Sequence, residues 1–145
     1  MSNSYDDVMA RRSDIMRQAL ALDYDSFQHG DLVFDYDALM SSTGYRLDDV
    51  ARIQAETKVG HTPLYELHRL TEAVREIAGP GKGARILLKD EAANASGSFK
   101  ARRASLSAHE AQVKGFAGMV TATSGNYGAA VASQAAQRGL ACIVI

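Results

Sequence analysis

The sequence predicts an α/β protein: a parallel sheet with crossover helices, incomplete, preceded by a helical N-terminal segment. Three observations carry this. From residue 85 onward, apolar runs alternate with helical patterns as strand, helix, strand, helix, strand, joined by short connections. The first third instead repeats apolar residues at three- and four-residue steps. Glycines fall at the joints, where helices stop or the chain turns.

Taken in order, Tyr5, Val8, Met9, Arg12, Ile15, Met16, Ala19 and Leu20 fall on one helical face with Arg12 its one non-apolar member. Further helical stretches are expected over 35–42 and 47–56, the latter with Leu47, Val50 and Ile53 in phase. Residues 1–58 are therefore expected to form a helical leader and 59–145 the first part of an α/β domain. Thr62-Pro63-Leu64 opens an extended segment through residue 67, since proline biases its predecessor away from helix. A helix to residue 78 follows, then the breaker Gly79-Pro80-Gly81-Lys82-Gly83 and a short buried strand over 85–89. Ser98 is the expected N-cap of a helix carrying Phe99, Ala101, Ala104, Ala108, Ala111 and Val113 and stopping at Gly115. Strand 118–122, loop 123–125, an alanine-rich helix 126–138 closed by Gly139, and a fully apolar strand 140–145 complete the order.

The composition, 46% hydrophobic and 23% charged over 145 residues, is that of a globular protein. Sixteen Lys and Arg against seventeen Asp and Glu leave a net charge of −1, so no excess of one sign serves nucleic acid or a membrane surface. No apolar run approaches the roughly 20 residues of a membrane span, and the first thirty residues lack a signal-peptide core, so a cytoplasmic location is expected. Cys142 alone forms no internal disulfide, and with four scattered histidines it offers no metal-ligand cluster. Because the sequence stops inside an apolar run, it is expected to be an N-terminal fragment.

In parallel α/β sheets ligands sit beyond the carboxyl ends of strands, where helix N-termini present free N–H groups. Two loops fall there. The first, residues 90–99, leads into Lys100 in the first turn of a helix. A protonated lysine there faces the positive end of the macrodipole, which favours the neutral, nucleophilic amine able to form a Schiff base with a carbonyl. Arg102 and Arg103 push the same way if they face the site. The alternative is an exposed helix lysine. The second loop, Thr123-Ser124-Gly125-Asn126-Tyr127-Gly128, gathers hydroxyls, an amide and backbone donors suited to a carboxylate, phosphate or phenolate oxygen. Simple N-capping by Ser124 or Asn126, with glycines for tight packing, is its other use.

The order His61-Thr62-Pro63-Leu64, Lys89-Asp90-Glu91 through Asn94, Gly97-Ser98-Phe99-Lys100 and Thr123-Ser124-Gly125-Asn126-Tyr127-Gly128 resembles fold-type II pyridoxal-phosphate enzymes. These include the tryptophan synthase β-chain, threonine synthase, serine and threonine dehydratases and cysteine synthase. The resemblance covers residues 60–145 and implies pyridoxal 5'-phosphate as cofactor and an amino acid as substrate. It implies that Lys100 carries the Schiff base and moves the Cα proton, and that Ser98 and Asn126 bind the cofactor, Asn126 at its phenolic oxygen. Thr123, Ser124, Gly125, Asn126 and Tyr127 would surround the substrate carboxylate. The stretch 89–94, Lys100-Ala101-Arg102-Arg103 and the long leader resemble the thiolytic branch of the family, implying coenzyme A, a small α-subunit and an oligomer. Ala95, where proline is usual, and Ala101, where aspartate often follows the lysine, depart from the broad pattern.

Other readings carry less. Gly79–Gly83 precedes a strand, unlike a Walker loop, and Gly125 with Gly128 falls short of a dinucleotide fingerprint. Ser98 near Lys100 lacks the other parts of an acyl-transfer site. A non-enzymatic assembly or regulatory module is the remaining alternative, and Lys100 discriminates it.

Overall fold

The computed structural model describes residues 4–30 and 32–145, Leu20 by its backbone alone. The chain divides into two compact units, Met1–Arg46 and Leu47–Ile145.

In the first unit Ser4 caps α1 (Tyr5–Ala10) by accepting the Asp7 N–H at 3.2 Å, with Asp6 and Asp7 in the turn where the dipole favours negative charge. The continuous helical face expected through residue 20 is interrupted at Arg11 (φ −104°, ψ 8°) and resumes as α2 (Arg12–Leu20). Leu20, assigned to that face, has its side chain outside the described residues. A 3₁₀ turn over Tyr24–Phe27 then feeds a hairpin, in which β1 (Gln28–His29) pairs antiparallel with β2 (Val33–Phe34). Phe34 organises it, its ring centroid 4.4 Å from that of Tyr24 and 4.8 Å from that of Tyr36. The Asp35 side chain accepts the Ala38 N–H at 2.8 Å and so starts α3 (Tyr36–Ser42).

The second unit begins with α4 (Leu47–Glu56), which completely buries Ile53. α4 belongs to the same compact unit as the α/β elements that follow it. Next come β3 (Leu64–Glu66), α5 (His68–Ala78) and β4 (Leu87–Lys89). β3 and β4 pair antiparallel, Tyr65 opposite Leu88, and the Thr71 hydroxyl accepts the Ile86 N–H at 2.9 Å to extend the edge. The extended segment expected from residue 62 thus pairs antiparallel with the strand expected over 85–89: residue pattern reports strand and helix, not strand direction. α6 (Lys100–Val113), β5 (Gly118–Thr121), α7 (Asn126–Gln137) and β6 (Ala141–Val144) follow, with β5 and β6 parallel and Val120 opposite Ile143. They form a strand–helix–strand unit. Among the described residues the strands form three two-stranded sheets.

Small side chains hold this unit together. Ala101, Ala104, Ser105, Ala108 and Ala111 line the buried face of α6, and Gly128, Ala130, Val131, Gln134 and Ala135 that of α7. Both stripes follow helical spacing, and side chains this short let the two helices approach closely. Met119, Tyr127 and Cys142 pack against the Ala104–Ala130–Val131 cluster. Among the described residues no helix is long and apolar enough to cross a membrane.

Candidate functional site

Two contacts set the relative direction of α6 and α7. Arg103, in the first turn of α6, holds its guanidinium 5.0 Å from the centroid of the Tyr127 ring in the first turn of α7. At the other ends, Arg138 donates to Gln112 Oε1 at 3.1 Å. The helices therefore run the same way, with both N-termini at one end. The Thr123 N–H donates to the Ile145 carbonyl at 2.9 Å, which places that end beyond the carboxyl termini of β5 and β6. Lys100 and the 123–126 turn thus lie at the same edge of the unit.

Lys100 is the first residue of α6 and is half-buried, its Nζ 4.3 Å from the centroid of the exposed Phe99 ring. Phe99, rather than Ser98, occupies the cap position, and no side chain caps the helix in the usual way. Instead the buried Ser98 hydroxyl accepts the Lys100 N–H at 3.3 Å, and the Ser98 carbonyl accepts from Ala101 at 3.3 Å. A tight turn at 98–101 precedes the regular helix, which is why the cap shifts by one residue. Arg102 and Arg103, both candidates to act on the lysine, are engaged elsewhere, Arg103 on Tyr127 and Arg102 on Glu91.

At α7, Gly125 holds the cap position in an extended conformation (φ −171°, ψ −140°), and neither Ser124 nor Asn126 caps the helix. The Thr123 hydroxyl accepts the Gly125 N–H at 3.2 Å, and the Gly125 carbonyl accepts from Gly128 at 3.0 Å. Ser124, Gly125 and Asn126 are exposed, and Thr123 and Tyr127 half-buried. Gly128 is required by packing: a Cβ there would stand 2.4 Å from Thr123 Cγ2 and 2.9 Å from Val144 Cγ1. At Gly125 the same atom would meet nothing within 4 Å, so the start of α7 opens on free space.

Sequence reasoning passed over a polar cluster beside the lysine loop. Arg102 grips Glu91 with both Nε and Nη2, each at 2.7 Å. Glu91 also accepts from the Thr62 hydroxyl at 2.7 Å and from Asn94 Nδ2 at 3.0 Å, while Asn94 Oδ1 accepts the Gly60 N–H at 3.0 Å. Lys89 Nζ donates to the Thr62 carbonyl. Led by the Arg102 hydrogen bonds, these donors hold the Glu91 carboxyl at about 2 against its ordinary 4.5. The available signal was that Thr62, Glu91, Asn94 and Arg102 all fall in or beside the motifs quoted above.

A primary amine at one helix start, a second helix start without a side-chain cap, and exposed hydroxyl and amide groups form a donor set matched to a ligand with a reactive carbonyl and several oxygen anions. The Ser96 hydroxyl, buried in the loop before Lys100 and without a hydrogen-bond partner, adds an orphaned donor. Pyridoxal phosphate has those groups, and the residues present fit it. Residues 55–145 match the family described as pyridoxal-phosphate dependent enzyme, and the chain belongs to that family. It is 54% identical to the 2-amino-4-ketopentanoate thiolase beta subunit of Acetoanaerobium sticklandii over 142 residues, 98% of this chain and 30% of that protein. A protein of the same name from an unknown prokaryotic organism is 56% identical over the same shares. A threonine synthase from Halalkalibacterium halodurans is 35% identical over 86 residues, 59% of this chain and 22% of that enzyme. The chain thus spans about 30% of the length of the thiolase subunits it matches. No solved structure matches it.

Proposed function

We propose that this chain is the lysine-bearing part of a β-subunit that, with coenzyme A, cleaves 2-amino-4-oxopentanoate to acetyl-CoA and alanine, a step in ornithine breakdown. The observation that carries this reading is the identity of 54% and 56% to two such subunits over nearly the whole chain. A small α-subunit completes a cytoplasmic hetero-oligomer. The β5–β6 pair belongs to the larger parallel sheet of the fold-type II architecture, and residues 1–58 act as its leader.

When bound, pyridoxal phosphate supplies the electron sink for bond changes at the amino acid's Cα. Lys100 holds the cofactor through its Nζ and carries the proton to and from Cα. Ser98 sets the turn that aims the lysine, and Asn126 donates to the phenolic oxygen. The hydroxyls of Thr123 and Ser124 and the N–H groups of Asn126 and Tyr127 take the substrate carboxylate beside Gly125, at the positive end of α7.

The test is an assay of the intact protein with its partner subunit, 2-amino-4-oxopentanoate and coenzyme A. Formation of acetyl-CoA and alanine in equal amounts is the expected result. Release of a 2-oxo acid and ammonia from serine or threonine, or threonine formation from a phosphorylated homoserine, without thiolysis, would favour the dehydratase and synthase reading that the threonine synthase likeness keeps in view.

A further inference from the structure

Between Glu91 and Arg102 the chain runs through the whole lysine loop and the first turn of α6, and the two side chains close that stretch on itself. The closure is saturated. Glu91 Oε1 accepts from Arg102 Nη2 and the Thr62 hydroxyl, each at 2.7 Å, and Oε2 from Arg102 Nε at 2.7 Å and Asn94 Nδ2 at 3.0 Å. Four donors thus fill the acceptor capacity of one carboxylate. Arg102 Nη2 also donates to the Thr62 hydroxyl at 3.3 Å and Nη1 to Gln54 Oε1 of α4 at 3.4 Å, while Gln54 Nε2 donates back to the Arg102 carbonyl at 3.4 Å. Three segments meet at this pair: α4, the loop before β3, and the lysine loop.

The loop before β3 is itself held in an unfavourable shape. Lys58 (φ 55°) and His61 (φ 49°) both take the left-handed conformation that side chains disfavour, on either side of Gly60 (φ 90°). Asn94 accepts the Gly60 N–H, and Glu91 accepts from Thr62 on the other side of His61. Local strain of this kind persists where surrounding contacts over-determine it. An exposed ion pair would add little to stability. This one is bidentate and leaves 35% of the Arg102 side chain and 22% of the Glu91 side chain exposed, so it fixes geometry as well as adding stability.

We propose that Glu91 and Arg102 form a clasp that positions Lys100, fixing the first turn of α6 against the 58–62 turn so that the amine is presented at one place. Both are positioning residues. Arg102 lies two positions beyond Lys100 on the helix, so the side chains leave the axis on different sides and the clasp acts through the backbone. The proposal rests on the reading of Lys100 as the cofactor lysine.

The test uses the intact protein in two arms. In the cofactor-free protein, amide hydrogen exchange over 96–101 is expected to rise about tenfold in Glu91→Gln and in Arg102→Lys, as a local opening replaces the closed loop. In the second arm, pyridoxal phosphate is added and Lys100 is trapped by borohydride and quantified by mass spectrometry. Both variants are expected to trap roughly 10- to 100-fold more slowly than the parent, the penalty for misplacing a reacting group. The double variant is expected to be little worse than either single one, since each alone opens the clasp. Arg102→Lys keeps the charge but loses the two-point fork, and serves if Glu91→Gln does not fold. Unchanged exchange over 96–101 and an unchanged trapping rate, with only a lower unfolding midpoint, would overturn the proposal. A parent protein that traps no cofactor at Lys100 would sink the cofactor reading, while the exchange arm still decides the clasp.

Discussion

Arg103 lies over the ring of Tyr127, joining the first turn of α6 to the first turn of α7. This contact ties the helix that starts with Lys100 to the helix that starts with Asn126 at the end where both would face a common ligand. Arg103 is exposed, and a cation–ring contact at such a site contributes about 0.5–1 kcal/mol. Arg103→Ala is expected to lower stability by about that amount in urea unfolding and to weaken cofactor binding in titrations that follow the visible absorption. Arg103→Lys should recover part of both.

Gly128→Ala tests the seat of α7 on the sheet. The added methyl would stand 2.4 Å from Thr123 Cγ2 and 2.9 Å from Val144 Cγ1, so the helix must move away from both loop and strand. Overpacking of this sort costs about 1–3 kcal/mol, read as a lower unfolding midpoint. Gly125→Ala, whose methyl meets open space, is expected to keep the midpoint near that of the parent and to weaken binding at the mouth of α7.

Stability in acid should carry the signature of Glu91. Its carboxyl is held at about 2 in the folded chain, chiefly by the Arg102 hydrogen bonds, against an ordinary 4.5. A carboxyl with a lowered folded value contributes stability that is complete above about 4.5 and is lost as pH falls toward about 2. Unfolding midpoints of the parent are expected to drop across that window. In Glu91→Gln the drop should be shallower, from a starting stability lower by about 1.5–3 kcal/mol, as expected for hydrogen bonds to a charged group.

Much of the second unit was legible because its signals are local. Alanines at 101, 104, 108 and 111 mark one face of α6, Gly115 and Gly139 follow α6 and α7, and the apolar runs around Val120 and Ile143 become the parallel pair. Strand direction was not local: β3 and β4 read as strands, yet only their tertiary register makes them antiparallel. The hairpin Gln28–Phe34 escaped notice because two-residue strands carry no alternation to detect. The break at Arg11 likewise lies within an unbroken helical pattern. Both site loops were visible as strand-to-helix turns dense in small polar residues. The Glu91–Arg102 pair was hidden, since charges eleven positions apart become partners only once the loop between them has folded.

Whether Lys100 is the cofactor lysine is decided by the spectrum of the intact protein with added pyridoxal phosphate. The parent is expected to develop a visible band, to lose it on borohydride reduction, and to yield a pyridoxyl group on Lys100 alone. Lys100→Ala is expected to show only free cofactor. A Lys100→Ala protein that keeps the parent's band, or a label found on Lys89 or another lysine instead, would assign the cofactor to a different residue.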